Sequence, residues 1–403
     1  MKDDTGPLLD PLTQTLPPRG RVIRWVSAAI GSGKLRIGQP LPSERVLAER
    51  LGVSRTAVRA ALDEMAAEGA IDRPNGGRLR RVARVLPDPQ GRNLMNDSLA
   101  IVSNVMLPTG NVGTGFQELY IKHQASVSIE AAGMHAMVIH PSRVLEMGID
   151  QFLTHPPAGL LVVDEVAAGS QVHTLLKAVK GILPVVVHGA VPDMEDYDRV
   201  ITDHYAGGKA LTRWLIERGR RKILRVWLSD SNHYWLDRRS EGYVDGMREA
   251  GLEPLPVLRV PAGDRFSAVL LNTPPDAQPK VWNDQVRHIA GYLIDWFADP
   301  HQRPDAVMCM TDGHCVHVAA ALRVFGIEPG RDVLLTGYDN NWHLVPYLRF
   351  ESARPAATVE KHNAQCAQAM VQMLLDRIAG KLPPEPQCQC VAHELRVLEQ
   401  ASD

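Results

Sequence analysis

Apolar and polar positions follow two different rhythms along the 403-residue chain. Between residues 19 and 69 apolar residues recur every three or four positions. Val22, Val26, Ala29 and Ile30 share one helical face, Val46, Leu47 and Leu51 a second, and Val58, Ala61, Leu62 and Met65 a third. Punctuation agrees with three helices. Gly31 and Gly33 end the first, Pro40 and Pro42 fix an extended lead-in, Ser43 and Ser54 are N-caps, and Gly52 and Gly69 follow helix ends. "AIDRPNGGRLRRV" then predicts two short strands around Asn75-Gly76-Gly77. Three helices and a hairpin make a winged helix-turn-helix over residues 17–83. Residues 84–97, rich in Pro, Gly and Asn, read as a linker.

From residue 98 to 400 the rhythm changes. "LAIVSNV", "HAMVIH", "GLLVV", "LPVVVH", "KILRVWL", "DAVMCM" and "VLLTGYD" are short, continuous apolar runs, with helical stretches such as 205–218 and 313–325 between most of them. Strands of this kind belong to a parallel sheet covered on both faces. About 300 residues suit two similar α/β lobes rather than one. Ligands of open parallel sheets meet the C-terminal ends of the strands. The residues following the runs are therefore candidates: Asn104, His140, Asp164, His188, Asp312 and Asp339. "YWLDRRSEGY" adds Trp235 and Arg239. Carboxylate acceptors with a forked guanidinium donor suit vicinal hydroxyls, and an aromatic face suits a sugar ring. Each of these residues also has an ordinary use as a loop residue or helix cap.

Charge sharpens the division. Residues 17–85 hold 14 Lys/Arg and 6 Asp/Glu, whereas residues 86–403 hold 29 and 37. A basic head on an acidic body fits a nucleic-acid-binding module joined to something else. The first turns of a recognition helix face the major groove, and here they carry Ser54, Arg55, Thr56 and Arg59. Arg45 lies in the first turn of the preceding helix, and Gly77 and Arg78 at the wing tip. An arginine fork bonds guanine O6 and N7, and hydroxyls and helix N-terminal amides suit phosphate.

Competing chemistry is poorly served. His314, Cys315 and His317 lie close together, as do Cys388, Cys390 and His393, but neither group has the spacing of a structural zinc site. "AAIGSGKL" only imitates the end of a phosphate-binding loop. No nucleophile–base constellation stands out, so neither an enzyme nor a cofactor is expected. Five cysteines in a long chain argue for reduced thiols and a cytoplasmic setting. The acidic "MKDDTGPLLDPLTQ" lacks the apolar core of a secretory signal, and no run of 18 apolar residues predicts a membrane span.

"LPSERVLAERLGVSRTAVRAALDEM" resembles the GntR family of bacterial transcription factors, with similarity running from 19 to 83. The resemblance implies DNA contacts for Arg45, Ser54, Arg55, Thr56 and Arg59, with Gly77 and Arg78 at the wing. "ITDHYAGGKALTRWLIERGRRKIL", "RRSEGYVDGMREAGL" and "PDAVMCMTDGHCVHVAAALRVFGIEPGRDVLLTGYDN" resemble the LacI/GalR regulators, with Arg220 where histidine is usual and Thr311-Asp312 for the usual Asn-Asp. Residues 261–283 look like an insertion. This second resemblance implies a two-lobed, periplasmic-binding-protein-like fold, a small-molecule effector, sugar-like, between the lobes, and effector contacts at Arg239, Asp312 and Asp339 with Trp235 near them. Asn104 and His188 join the candidate effector group as strand-end residues. A GntR head on a LacI-like body resembles the arrangement of arabinose-type repressors. The implied protein is a homodimer on a pseudo-palindromic double-stranded operator. An aminotransferase-like body binding pyridoxal phosphate is the alternative for a GntR head, but lysines are scarce in this body.

Overall fold

A computed structural model describes residues 16–31, 35, 38–67, 69–72, 80–83, 95, 97–103, 116–164, 166–229, 233–261 and 273–398. The chain divides into two compact units. One is Met1–Met106, Ala125–Val187 and Met370–Glu385; the other is Leu107–Gln124, His188–Ala369 and Pro386–Asp403.

The first unit opens with α1 (Pro18–Gly31), α2 (Glu44–Leu51) and α3 (Arg55–Ala67). Val22, Val26, Ala29, Ile30, Leu47, Leu51, Val58, Ala61, Leu62 and Met65 close one apolar core, joined by Ile71 and Val82. Val46 departs from the expected stripe and is 37% exposed. Leu47 and Leu51, four apart, fix the buried face of α2, and Val46 lies about 100° around the helix from Leu47. The Ser43 hydroxyl accepts from the Val46 amide at 3.4 Å, and Gly52 closes α2 in the left-handed region at φ 63°. The Ser54 hydroxyl accepts from the Ala57 amide at 3.2 Å and so starts α3. Antiparallel bridges Ile71–Val82 and Pro40–Arg81 form the root of the wing. Its tip, with Gly77 and Arg78, lies outside the described residues, as does most of segment 84–97.

The predicted runs then become strands. β1 (Ser98–Val102) pairs in parallel with β2 (His135–Ile139) and β3 (Gly159–Val162), and β3 pairs in parallel with β4 (Val185–His188). Between them stand α4 (Phe116–Ala131), α5 (Pro141–Met147), α6 (Ile149–Phe152) and α7 (Gln171–Val179). β1 and β3 are buried along their whole length, which is why they read as continuous apolar runs.

In the second unit β5 (Asp198–Thr202) leads to α8 (His204–Glu217), β6 (Ile223–Leu228), α9 (Tyr234–Glu249) and β7 (Leu258–Val260). There follow α10 (Gln278–Phe297), β8 (Ala306–Cys309), α11 (Asp312–Arg323), β9 (Leu334–Thr336), β10 (Ala357–Glu360), α12 (Asn363–Ile378), β11 (Cys388–Val391) and β12 (Glu394–Val397). α12 continues into the first unit. Six strands order as β12-β10-β9-β8-β6-β7, parallel except for the β10–β12 pair. β11 pairs in parallel with β5. Helices α10 and α11 bury Ile289, Leu293, Phe297, Val318 and Leu322 against Leu224, Val226 and Val307 of the sheet. Strands β5, β7, β10 and β12 escaped the apolar-run reading because they are short or alternate apolar with polar residues.

Candidate functional site

The head presents one polar edge. Ser54, Arg55, Thr56 and Arg59 are exposed at the start of α3, and Arg45 is exposed on α2. Two of the arginines are held by neighbouring acids. Arg59 grips Glu44 through Nε (3.3 Å) and Nη2 (2.9 Å), and Arg45 meets Glu49 at 2.8 Å one helical turn on. The Glu44 contact holds the Arg59 guanidinium above its ordinary range. Arginines at the wing root do something else: Arg80 bonds the Leu62 carbonyl at 3.0 Å and pairs with Asp63, tying the hairpin to α3. Arg50 lies over the Trp25 ring at 5.3 Å.

A second group forms in the second unit, where glycines let two helices touch. A Cβ at Gly208 of α8 would overlap the Arg239 carbonyl oxygen, and one at Gly242 of α9 would overlap the Tyr205 carbonyl oxygen. This close crossing carries Arg239 to the ends of β8 and β9, where it is 3% exposed. Its Nη1 donates to the Met310 carbonyl at 2.7 Å, and its Nε points to Nδ1 of His204 at 3.4 Å. The guanidinium lies over the rings of Tyr338 (3.4 Å) and Trp235 (4.5 Å), and Trp235 stacks on His233. Burial lowers its pKa, opposed by the fields of Tyr338 and Asp339.

Asp312 opens α11, fully buried. Its Oδ2 accepts from the amides of Asn341 (2.8 Å) and Trp342 (3.2 Å). Burial pushes this carboxyl up to about 8, so it is largely protonated at neutral pH. Gly337 is required beside it, since a Cβ there would overlap Oδ1. Asp339 sits at φ 93° with its amide bonded to the Val359 carbonyl (2.8 Å), and its carboxylate lies 2.8 Å from Nζ of Lys361. His188 and His314 are both pushed down to about 4, and His204 well below its ordinary value, in each case chiefly by burial. They are neutral imidazoles near neutral pH.

Of the residues expected at strand ends, Arg239, Trp235, Asp312, Asp339 and His188 belong to the second unit, and the first four gather around one another. Asn104 lies outside the described residues. In the first unit His140 caps α5 by accepting from the Ser142 amide (3.3 Å), and Asp164 accepts from the Ser103 hydroxyl (3.2 Å). Lys361, Tyr338 and His204 were not singled out from the sequence. Tyr338 was visible inside "TGYDN"; Lys361 follows β10, a strand the pattern did not reveal. The thiol and imidazole groups are separated by their surroundings. Cys315 is buried in the core, His317 packs against Trp282 (4.6 Å) and Tyr347 (4.9 Å), and Cys388 and Cys390 are exposed on β11. Among the described residues no cluster of three His, Cys, Asp or Glu is placed to hold a metal, and no helix is long and apolar enough to cross a membrane.

Residues 18–80 match the model of the bacterial regulatory proteins, gntR family. Residues 127–266 match that of the periplasmic binding proteins and sugar binding domain of the LacI family, and residues 212–397 that of a periplasmic binding protein-like domain. The chain is similar to the HTH-type transcriptional repressor PurR of Vibrio atlanticus, 26% identical over 222 residues, 54% of either chain. Its head is similar to the Glc operon transcriptional activator of Escherichia coli, 38% identical over 85 residues, 21% of this chain and 29% of that one. The chain thus spans about half the length, or less, of these curated relatives. Among solved structures, a LacI-family regulatory protein from Chloroflexus aggregans aligns with TM-score 0.57 at 18% identity, covering 75% of this chain and 98% of that one. A complex of the transcriptional regulator CelR with cellobiose aligns with TM-score 0.55 at 18% identity, covering 89% and 99%. A LacI-family regulator from Enterococcus faecium with bound ribose aligns with TM-score 0.53 at 14% identity, covering 74% and 97%. These likenesses establish the fold. The aminotransferase-like alternative for the body is set aside by the periplasmic-binding matches.

Proposed function

We propose that this chain, a GntR-type helix-turn-helix head fused to a LacI/GalR-like periplasmic-binding-protein body, is a sequence-specific transcriptional repressor controlled by a small molecule. The observation that carries the DNA half is the exposed array of Ser54, Arg55, Thr56 and Arg59 on a capped helix whose opposite face is core. Arg55 is the base reader, its fork suited to a guanine edge. Ser54, Thr56 and the first amides of α3 receive phosphate. Arg45 and Arg59 exchange their carboxylates for phosphates, which costs little because exposed ion pairs are weak. Gly77 and Arg78 reach the adjacent groove.

The effector binds at the strand ends of the second unit, with Arg239, Asp312, Asp339 and Trp235 in contact and His188 contributing. A carbohydrate or related metabolite suits these donors, and similar regulators are described with cellobiose and ribose bound. Effector binding shifts the population between operator-competent and operator-incompetent arrangements. Coupling of about 1–3 kcal/mol changes operator affinity about 5- to 150-fold. The working form is a cytoplasmic homodimer on a pseudo-palindrome, with recognition helices about 34–36 Å apart.

Fluorescence anisotropy with DNA from upstream of the chain's own gene tests this reading. Nanomolar binding with a steep salt dependence is expected, reduced by Arg55→Ala. Equal affinity for random DNA would refute sequence-specific regulation.

A further inference from the structure

We propose that Cys388 and Cys390 on β11 form a binding site for a soft monovalent metal cation of the copper(I) kind, held between two thiolates in a linear arrangement. The site draws on neither the operator-reading head nor the effector residues.

Cysteine is among the residues most often buried, and Cys309, Cys315 and Cys366 follow that rule. Cys388 and Cys390 break it together. Both are exposed, and they stand two residues apart on one short strand, Cys388–Val391. Positions i and i+2 of a strand share a face. The pairing with β5 fixes which face. Cys388 is level with Arg199 and Cys390 with Ile201, both half-buried, whereas Gln389 and Val391 are level with Val200 and Thr202, both buried. The two thiols are close enough to act on one another: burial raises the Cys390 thiol, and the fields of Asp203 and Cys388 raise it further. Cys366 supplies the contrast. It is fully buried, with its Sγ against the Lys361 carbonyl at 3.6 Å.

Spacing decides what the pair can hold. With a rise of about 3.3 Å per residue the two Cβ atoms are about 6.6 Å apart, whereas a disulfide needs about 3.5–4.5 Å. The extended strand therefore keeps the thiols from joining directly. A bridging ion fits instead. Two collinear thiolate–metal bonds of about 2.3 Å put the sulfurs about 4.6 Å apart, and the two Cβ–Sγ bonds, leaning inward, span the remaining distance of about 2 Å. Among the described residues no third His, Cys, Asp or Glu completes the group, so zinc, which takes four ligands, is poorly served. Soft thiolates select copper(I). On binding, two S–H bonds break, two sulfur–metal bonds form and two protons leave to solvent, with no change of oxidation state. Two thiolates around one univalent cation carry one net negative charge. Arg199, level with Cys388 on the adjoining strand, offsets it, since its own ion pair with the exposed Glu195 is long, at 3.7 Å.

The test is competition for copper(I) between the reduced full chain and a chromophoric copper(I) chelator under argon. The wild type is expected to withdraw one equivalent per chain, and Cys388→Ser/Cys390→Ser none. Either single variant is expected to bind about 100-fold more weakly, because it loses the second arm of a two-point attachment. Cys366→Ser is expected to match the wild type. Zinc(II) at the same concentration is expected to leave the copper(I) titration unmoved. A second measurement needs no variant. Iodoacetamide is expected to label Cys388 and Cys390 in the native wild type, and one equivalent of copper(I) to protect both, as read by peptide mass spectrometry. Equal competition by the wild type and the double variant would overturn the proposal, as would a titration displaced by zinc or labelling that copper(I) leaves unchanged. A Cys388–Cys390 disulfide formed with dilute hydrogen peroxide would overturn it too, by removing its geometric basis.

Discussion

Arg59 and Arg239 are the same side chain in opposite circumstances. Arg59 lies on the surface with its carboxylate partner, Glu44, beside it; Arg239 lies inside with aromatic faces, a carbonyl and a neutral histidine, and no acid within ion-pair distance among the described residues. Water makes the first arrangement inexpensive and easily exchanged, as a head that trades partners with DNA requires. The second persists because the crossing of α8 and α9 fixes the backbone that carries it. Surface charge in the head is held by a neighbouring acid in water, whereas buried charge in the body is held by rings, a carbonyl and an imidazole.

The comparison breaks most visibly at the helix crossing. Gly242→Ala puts a methyl group into the Tyr205 carbonyl and is expected to cost about 3 kcal/mol in stability, the upper end of ordinary overpacking. Calorimetric melting checks this; operator binding by the head is expected to survive at temperatures where the body remains folded. An unchanged melt would mean that the crossing is loose and Arg239 is not rigidly held.

Acidity separates the regions next. The head, residues 17–83, contains no histidine, whereas burial pushes His314 to about 4 and His317 to about 3 in the body. A depressed histidine gives stability that is complete above its unfolded value near 6.5 and is lost as pH falls towards the folded value. Asp312 runs in the opposite direction. Raised to about 8, its contribution is complete below about 4 and is lost as pH rises towards 8. Hydrogen exchange followed peptide by peptide between pH 7 and 5 is expected to show the body loosening and the head unaffected. In Asp312→Asn the melting temperature relative to wild type is expected to rise between pH 5 and 8; a constant difference would contradict a raised carboxyl.

Arg55→Ala is expected to weaken operator binding by about 1–3 kcal/mol and relax preference at one base pair, while leaving melting unchanged. Footprints identical to wild type would remove Arg55 from the base-reading role. Ser54→Ala loses the cap on α3 and is expected to cost about 1 kcal/mol of stability, read by urea denaturation. The smallest effect belongs to Glu44→Gln. It frees Arg59 without disturbing the core, so denaturation is expected to shift negligibly. A large loss would make the Arg59–Glu44 pair a structural tie rather than an exchangeable one.

The head was legible almost completely because its signals are local. Caps Ser43 and Ser54, the Gly52 terminator and apolar positions three and four apart all act within one or two helical turns. Among the described residues of the expected helical faces, Val46 was misplaced, by the rotation of one residue along α2. The body was legible where strands are buried on both sides, as in β1, β3 and β8, and illegible where short or half-polar strands such as β5 and β10 depend on neighbours for their place. Asp312 and Asp339 were singled out because they directly follow apolar runs, and Arg239 because of its place in "YWLDRRSEGY". Lys361 was not, because β10 was not.

By itself, then, the sequence determined the helical head, its exposed arginines, the parallel α/β character of the body and the positions at which polar residues follow strands. Hydrophobic period and capping are short-range physics carried by consecutive residues. Tertiary structure alone decided that Lys361 takes Asp339, that Asp312 turns its carboxyl to two backbone amides, and that Arg239 is held between two rings with its Nη1 on the Met310 carbonyl. Burial and pairing are fixed by groups that meet only when distant strands and helices pack, and the energy of a charge depends on which of those groups arrive.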